Sequence, residues 1–272
     1  MSGKVLKPLL LLLPTLLCVI SCSVKEYRDD CPCYLSLELR RAFDDIVNAP
    51  EELMVSVYSP ETCYRETFTP GSCPDSIEIR VPRGEVTVSA LTVRSSRSVK
   101  DRSLLIAYGD QADSIYAFSA VVDTGGEQAR ERVDLHKQYS TVYLKFLWPE
   151  GGDSPSGIPK LKVRGGTNGL SIDVLAPSRG AFCIELPEQD PRQPHRFRIP
   201  RQSDKSLALE IYDRSSDTLI DNVALGDHID LTGYDWNAED LKDIYIEIDY
   251  TKTDAVVTVE EWDGGESFRK TI

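Results

Sequence analysis

The sequence predicts an all-β protein built from two tandem antiparallel β-sandwich domains. Three observations carry this. Apolar and polar residues alternate one by one along most of the chain, the period of a strand with one buried face. The alternating runs are short and separated by turn residues such as Pro70-Gly71, Pro82-Arg83-Gly84 and Gly125-Gly126. About 240 residues follow the first 31, and a seven-stranded sandwich takes about 100. Residues 32–131 and 132–272 are therefore expected to bury one core each.

The alternation begins at Leu35, Leu37 and Leu39 and resumes at Leu53, Val55 and Val57, then at Ile77, Ile79 and Val81. Val86, Val88 and Ala90 follow, and then Leu104, Ile106 and Tyr108. The polar, turn-rich stretch 123–128 suits a domain break. Val142-Leu144-Phe146-Trp148 then opens the second half, followed by Leu161-Val163, Leu170-Ile172-Val174 and Leu207-Leu209-Ile211. Ile244-Ile246-Ile248-Tyr250 and Ala255-Val257-Val259 close the series. Helical signal is confined to short turns within 41–53 and 238–241.

The first 31 residues carry an address. Lys4 and Lys7 precede an apolar run of 13 residues, Pro8 to Ile20. That is the length of a signal-peptide h-region and too short to span a bilayer, which takes about 20 helical residues. Val19-Ile20-Ser21-Cys22 resembles the bacterial lipobox, so residues 1–21 read as a lipoprotein signal peptide and Cys22 as the lipidated first residue of the mature chain. Residues 22–31 form a charged tether. Cleavage leaves 29 basic against 44 acidic residues, a charge of −15. Anionic lipid heads repel such a body, so acyl chains on Cys22, not charge, are expected to hold it to a membrane. The same acidity excludes nucleic acid as a partner.

Five cysteines remain beyond Cys18 and Cys22. Cys63 and Cys73 flank Thr69-Pro70-Gly71-Ser72, a turn signal, and two strands folding back there could bring them within bridging distance. Such a disulfide would contribute about 3 kcal/mol. Cys31-Pro32-Cys33 has neither the spacing of a redox pair nor that of a zinc knuckle, and Cys183 reads as a buried free thiol. No residue constellation implies catalysis, a cofactor or a metal. The glycines of 164–169 lack the lysine and the following helix of a phosphate loop. Asp235 to Asp240 offers calcium-like oxygens without the central glycine or closing glutamate, and reads as a capped turn. His136, His195 and His228 sit in unrelated contexts and are expected on the surface or in loops.

Several of these features occur together and in order. They are Cys22 and its charged tether, Cys31-Pro32-Cys33 leading into a leucine-alternating strand, Leu135-His136-Lys137-Gln138-Tyr139 before a long strand, and Gly233-Tyr234-Asp235-Trp236 before Ile244 to Tyr250. The combination resembles the FimB-type fimbrial anchor family of fimbrillin lipoproteins. The resemblance implies transthyretin-like sandwiches, a lipid at Cys22, no enzymatic activity, and a place at the base of a surface fimbria with a fimbrial stalk subunit as partner. It also implies that an anchor keeps its first strand, here Tyr34 to Leu39, whereas stalk subunits lose theirs by cleavage after an arginine. Arg28, Arg40 and Arg41 are the candidate cleavage points. Ala255 to Thr271 is the candidate segment for contacting the stalk. Paralogues of the family serve as tip or accessory subunits. A reading from another class is a surface lipoprotein that binds a glycan or a host protein through a loop face.

Overall fold

The computed structural model describes residues 31–40, 42, 46, 52–93, 99–100, 102–147, 159–190, 193–249, 256–262 and 270–271, the last two stretches by backbone only. The signal segment, Cys22 and the tether lie outside the described residues, as do Arg28, Arg41 and Trp148.

The first half runs through β1 (Cys33–Glu38), β2 (Glu52–Tyr58), β3 (Cys63–Phe68), β4 (Ser76–Val81), β5 (Glu85–Val93), a small hairpin β6 (Val99–Lys100) and β7 (Ser103–Leu105), then β8 (Tyr116–Asp123), β9 (Gln128–Arg132) and β10 (His136–Lys137). One sheet has the order β4-β1-β9 and the facing sheet the order β10-β8-β5-β2-β3. The predicted alternation closes the core between them. Leu35, Leu37, Leu53, Val55, Val88 and Ala90 are all fully buried. A buried Leu or Val side chain contributes about 1.5–3 kcal/mol, so this face fixes the register of each strand.

The second half comprises β11 (Tyr139–Leu147), β12 (Lys160–Ser171), β13 (Ala176–Glu185), β14 (His195–Pro200), β15 (Ala208–Asp213), β16 (Thr218–Val223), the helix α1 (Leu225–Leu231), β17 (Asp243–Asp249), β18 (Val256–Trp262) and β19 (Lys270–Thr271). Here β14-β11-β17-β18-β19 faces a sheet in which β12 pairs with β15 and β13, and β15 with β16. Val142, Leu144, Val163, Ile199, Leu209, Ile244 and Ile246 form its core.

The two halves repeat one connectivity. In each, the first strand lies between the fourth, antiparallel, and the seventh, parallel: β1 between β4 and β9, β11 between β14 and β17. In each, the second strand lies between the third and the fifth, and the fifth pairs with the sixth. Three departures matter. The β6–β7 hairpin, inserted between β5 and β8, pairs with β12 of the second half, with Leu104 opposite Leu170. Gly169 permits that approach, because a Cβ there would collide with the Leu104 carbonyl. The short strand β10 pairs back onto β8. Finally, β18 lies along the outer edge of β17, and β9 has no such neighbour among the described residues.

A third apolar cluster joins the sandwiches. Met54, Leu91 and Ala117, on the outer face of the first, pack with Val99, Leu104, Leu170 and Ile172. Around it Arg102 binds Asp173 at 2.8 Å and stacks on Tyr58 at 4.2 Å.

Local expectations are refined. Residues 106–108 and 172–175 are loop and turn rather than strand. The glycine run 164–169 lies inside β12, where bulges shift the register. The helix falls at Leu225–Leu231, whereas 238–241 is a bend. This helix lacks a side-chain N-cap and spans seven residues, buried through Leu225 and Ile229. Two apolar positions four apart are too few to stand out from strand alternation.

Candidate functional site

The first strand is fixed along both edges. Beyond its ladder to β4, Tyr34 N–H donates to the Glu127 carbonyl at 2.9 Å and Val133 N–H donates to the Glu38 carbonyl at 3.1 Å. Cys33, Leu35 and Leu37 point inward and are fully buried. Arg83 secures the entry to the strand. Its Nε donates to the Cys31 carbonyl at 2.8 Å, and its Nη1 to the Gly125 carbonyl at 3.3 Å. Cys31 is exposed and Cys33 is not, so the two close cysteines have opposite environments. Burial pushes the Cys33 thiol up, against a smaller opposing pull from Arg83, and keeps it in the neutral, unreactive form. At the exit, Arg40 is exposed and pairs with Asp75 at 2.8 Å. Ala42, two residues beyond, is buried in the first core.

Cys63 and Cys73 are both free, and the expected bridge is not formed. Residues 69–72 do make a turn, closed by Ser72 N–H to the Thr69 carbonyl at 2.9 Å. That turn carries the chain from β3 in one sheet to β4 in the other, so no hairpin forms. Cys63 begins β3 and Cys73 lies past its far end. The two cysteines therefore do not face each other across a strand pair, as a bridge of this kind needs.

The loop with calcium-like oxygens holds an arginine. Arg201, 7% exposed, donates to the carbonyls of Trp236, Ala238 (2.8 Å) and Glu239 (3.3 Å) and to Gln138 Oε1 (3.0 Å). Burial lowers its pKa from the usual arginine value. Asp235 caps its own turn by accepting from Asn237 N–H at 2.8 Å. Asp240 faces the other way, with one oxygen 3.0 Å from His136 Nδ1 and the other accepting from Lys137 N–H at 2.6 Å. Lys137 reaches Asp243 at 2.5 Å. The segment between the sandwiches, 136–138, is thus clamped to the 235–243 loop, and Gln138 N–H ties it to the Ile115 carbonyl at 2.9 Å. A cleft of about 960 Å³ lies alongside, lined by Tyr116, Tyr143, Arg196 and the clamp residues themselves. Among the described residues no group of His, Cys, Asp and Glu is arranged to hold a metal.

His136 sits half-buried at this junction, whereas His195 is buried on β14, not on the surface or in a loop. The C-terminal segment is a strand of its own sheet: β18 pairs with β17 over its whole length, and β19 folds back onto Thr258 and Val259. Arg83 and Arg201 were not legible as site residues, because what defines each is a set of carbonyls distant in sequence.

In sequence, the chain matches no family profile and no curated protein. In fold it is similar to several solved structures. One is the fimbrial anchor protein Mfa2 from Porphyromonas gingivalis, at 13% identity and a TM-score of 0.56, covering 88% of this chain and 100% of that one. Another is a candidate polysaccharide-binding protein from Bacteroides thetaiotaomicron VPI-5482, at 12% identity and a TM-score of 0.57, covering 88% and 98%. A third is a candidate adhesin from Bacteroides ovatus, at 12% identity and a TM-score of 0.56, covering 88% and 95%. At these identities the likeness is one of fold: an all-β protein of sandwich domains.

Proposed function

We propose that this protein is the lipid-anchored base subunit of a surface fimbria, holding the stalk to the outer membrane through acyl chains on Cys22. The observation that carries this reading is the placement of β1. It lies in the middle of its sheet, 11 residues from Cys22, with both edges bonded and its apolar face in the core. A first strand so held keeps its own slot filled. A neighbouring subunit cannot insert a strand there, so assembly stops at this end and the stalk is limited in length. The fold shared with a fimbrial anchor protein supports the reading, and its role is structural rather than catalytic.

Two measurements test it. Cys22→Ala should abolish lipid labelling and release the protein from membranes; a variant that still fractionates with the outer membrane after a high-salt wash refutes the anchor. N-terminal analysis of protein from sheared fimbriae should find the lipidated Cys22. Chains beginning at Asp29 or Ala42 would instead identify a processed subunit. The fold shared with a candidate polysaccharide-binding protein favours a second reading, a glycan-binding surface lipoprotein. That reading predicts a monomer with glycan affinity and no stalk subunit co-purifying.

A further inference from the structure

The seam between the sandwiches is polar at one place. On the outer face of the larger sheet of the first sandwich, register sets the residues of β2, β5 and β8 in rows. One row, Met54-Leu91-Ala117, belongs to the apolar cluster that joins the two halves. The next row is Ser56-Ser89-Ser119, and the one after it Tyr58-Thr87-Val121. On β2, Ser56 stands between Met54 and Tyr58; on β5, Ser89 stands between Leu91 and Thr87. The short serine side chains therefore leave a trough across the sheet.

Asp173, in the turn between β12 and β13 of the second sandwich, roofs this trough. Ser119 Oγ donates to its carbonyl, which sets its backbone over β8. Its carboxylate Oδ2 accepts from Arg102 at 2.8 Å, and the Arg102 guanidinium lies 4.2 Å from the ring centroid of Tyr58 on β2. The carboxylate is thus carried from β8 toward β2, across the column of β5 where Ser89 stands. Ser56 is fully buried and Ser89 is 1% exposed. Their hydroxyls and the Asp173 Oδ1 are sealed from solvent, and none of the three has a hydrogen-bond partner among the described residues. An unbonded buried hydroxyl is costly, and here two of them meet a carboxylate oxygen in the same condition.

We propose that the trough is a binding site for one ordered water molecule, which bridges Ser56, Ser89 and Asp173 and fastens the second sandwich to the sheet of the first. The water accepts from the two hydroxyls and donates to Asp173 Oδ1, the roughly three bonds that an interior water makes. A metal cation suits the site less well. Arg102 already meets the charge of Asp173, and a hard cation takes about six oxygens or more. The bridge also explains why serines stand here beside an apolar seam. Apolar contacts tolerate sliding, whereas a three-way bridge forms only when Asp173 sits over the serine row. The site fixes how the halves are seated, and it does not depend on lipidation or on the anchor role.

A crystal structure of the mature chain, at a resolution that orders interior waters, should show one density peak within hydrogen-bond distance of all three oxygens. Ser56→Ala and Ser89→Ala should each lower the melting temperature by about 2–4 °C. The double variant should fall little further than either alone, because the first change already frees the water. Oxygen-17 relaxation dispersion should count one fewer long-lived water in the double variant, a readout that lost packing alone would not move. The density of the unaltered chain keeps the test decisive if a variant misfolds. An empty trough, oxygens bonded directly to one another, or a peak with the short contacts of a metal ion would each overturn the proposal. So would an unchanged water count, or a rise in melting temperature in either single variant, the sign expected when a dry, unbonded hydroxyl is removed.

Discussion

Arg201 is the residue on which the junction between the sandwiches turns. Its guanidinium replaces solvent for three carbonyls and one side-chain amide that would otherwise be stranded. Removing one partner of a buried charge-assisted set leaves the others unsatisfied. Arg201→Leu should therefore cost about 3 kcal/mol in chemical denaturation. Arg201→Lys should restore only part of this, because an ammonium cannot match a planar fork of donors. The sequence drew attention to this loop through its side-chain oxygens, whereas Arg201, some 35 residues earlier, binds its backbone carbonyls, which no residue pattern announces. His195 gives a second residue-scale outcome. Burial lowers its pKa, and its Nδ1 has no hydrogen-bond partner. The unfolded chain takes up a proton near pH 6.5 that the folded protein refuses. Stability from the neutral ring is therefore complete above pH 6.5 and is lost as pH falls toward the depressed folded value. His228, also lowered by burial, adds in the same direction. The melting temperature should fall on acidification from pH 7 to 5, and His195→Leu should flatten that slope. An unchanged slope would refute the assignment.

At the scale of elements, β1 matters most. Leu37 is fully buried in the centre of the strand, and Leu37→Ala should cost about 3 kcal/mol, lowering the melting temperature by about 8 °C. If the strand were dispensable, the melting temperature would hold. Most strands were readable because a one-residue alternation leaves only one face to bury, as in Leu35-Leu37-Leu39 and Ile244-Ile246-Ile248. What lies between strands was less readable. The turn at 69–72 was correctly placed, yet a turn residue cannot tell a hairpin from a crossing between sheets, and that ambiguity produced the expectation of a Cys63–Cys73 bridge. Gly165, Gly166 and Gly169 interrupt the apolar pattern of β12, so one long bulged strand read as two short ones.

At the scale of the molecule, two sandwiches were foreseeable from length and periodicity, but not that they share one connectivity. Nor was their union. The β6–β7 hairpin leaves the first half to pair with β12, and no local pattern announces that Leu104 will lie opposite Leu170. The parallel pairing of first and seventh strands, present in both halves, has a mechanical consequence. A pull on the tether enters β1 at Cys33. It passes on to the second half from the Arg132 end of β9. Because these strands are parallel, the load is applied at opposite ends of the ladder and loads its hydrogen bonds in shear, all at once. Peeling would break them one by one. The pair β11 and β17 repeats the arrangement between Tyr139 and Asp249, with the antiparallel β18 lying beyond it at the edge. In single-molecule stretching, the chain pulled between Cys33 and Arg132 should therefore yield at markedly higher force than the same chain pulled between Cys33 and Val81, which face each other across an antiparallel pair and unzip. Equal forces would show that the ladder carries no such load. Under the proposed anchor role, a fibre drawn on by flow would pull on the geometry that resists longest.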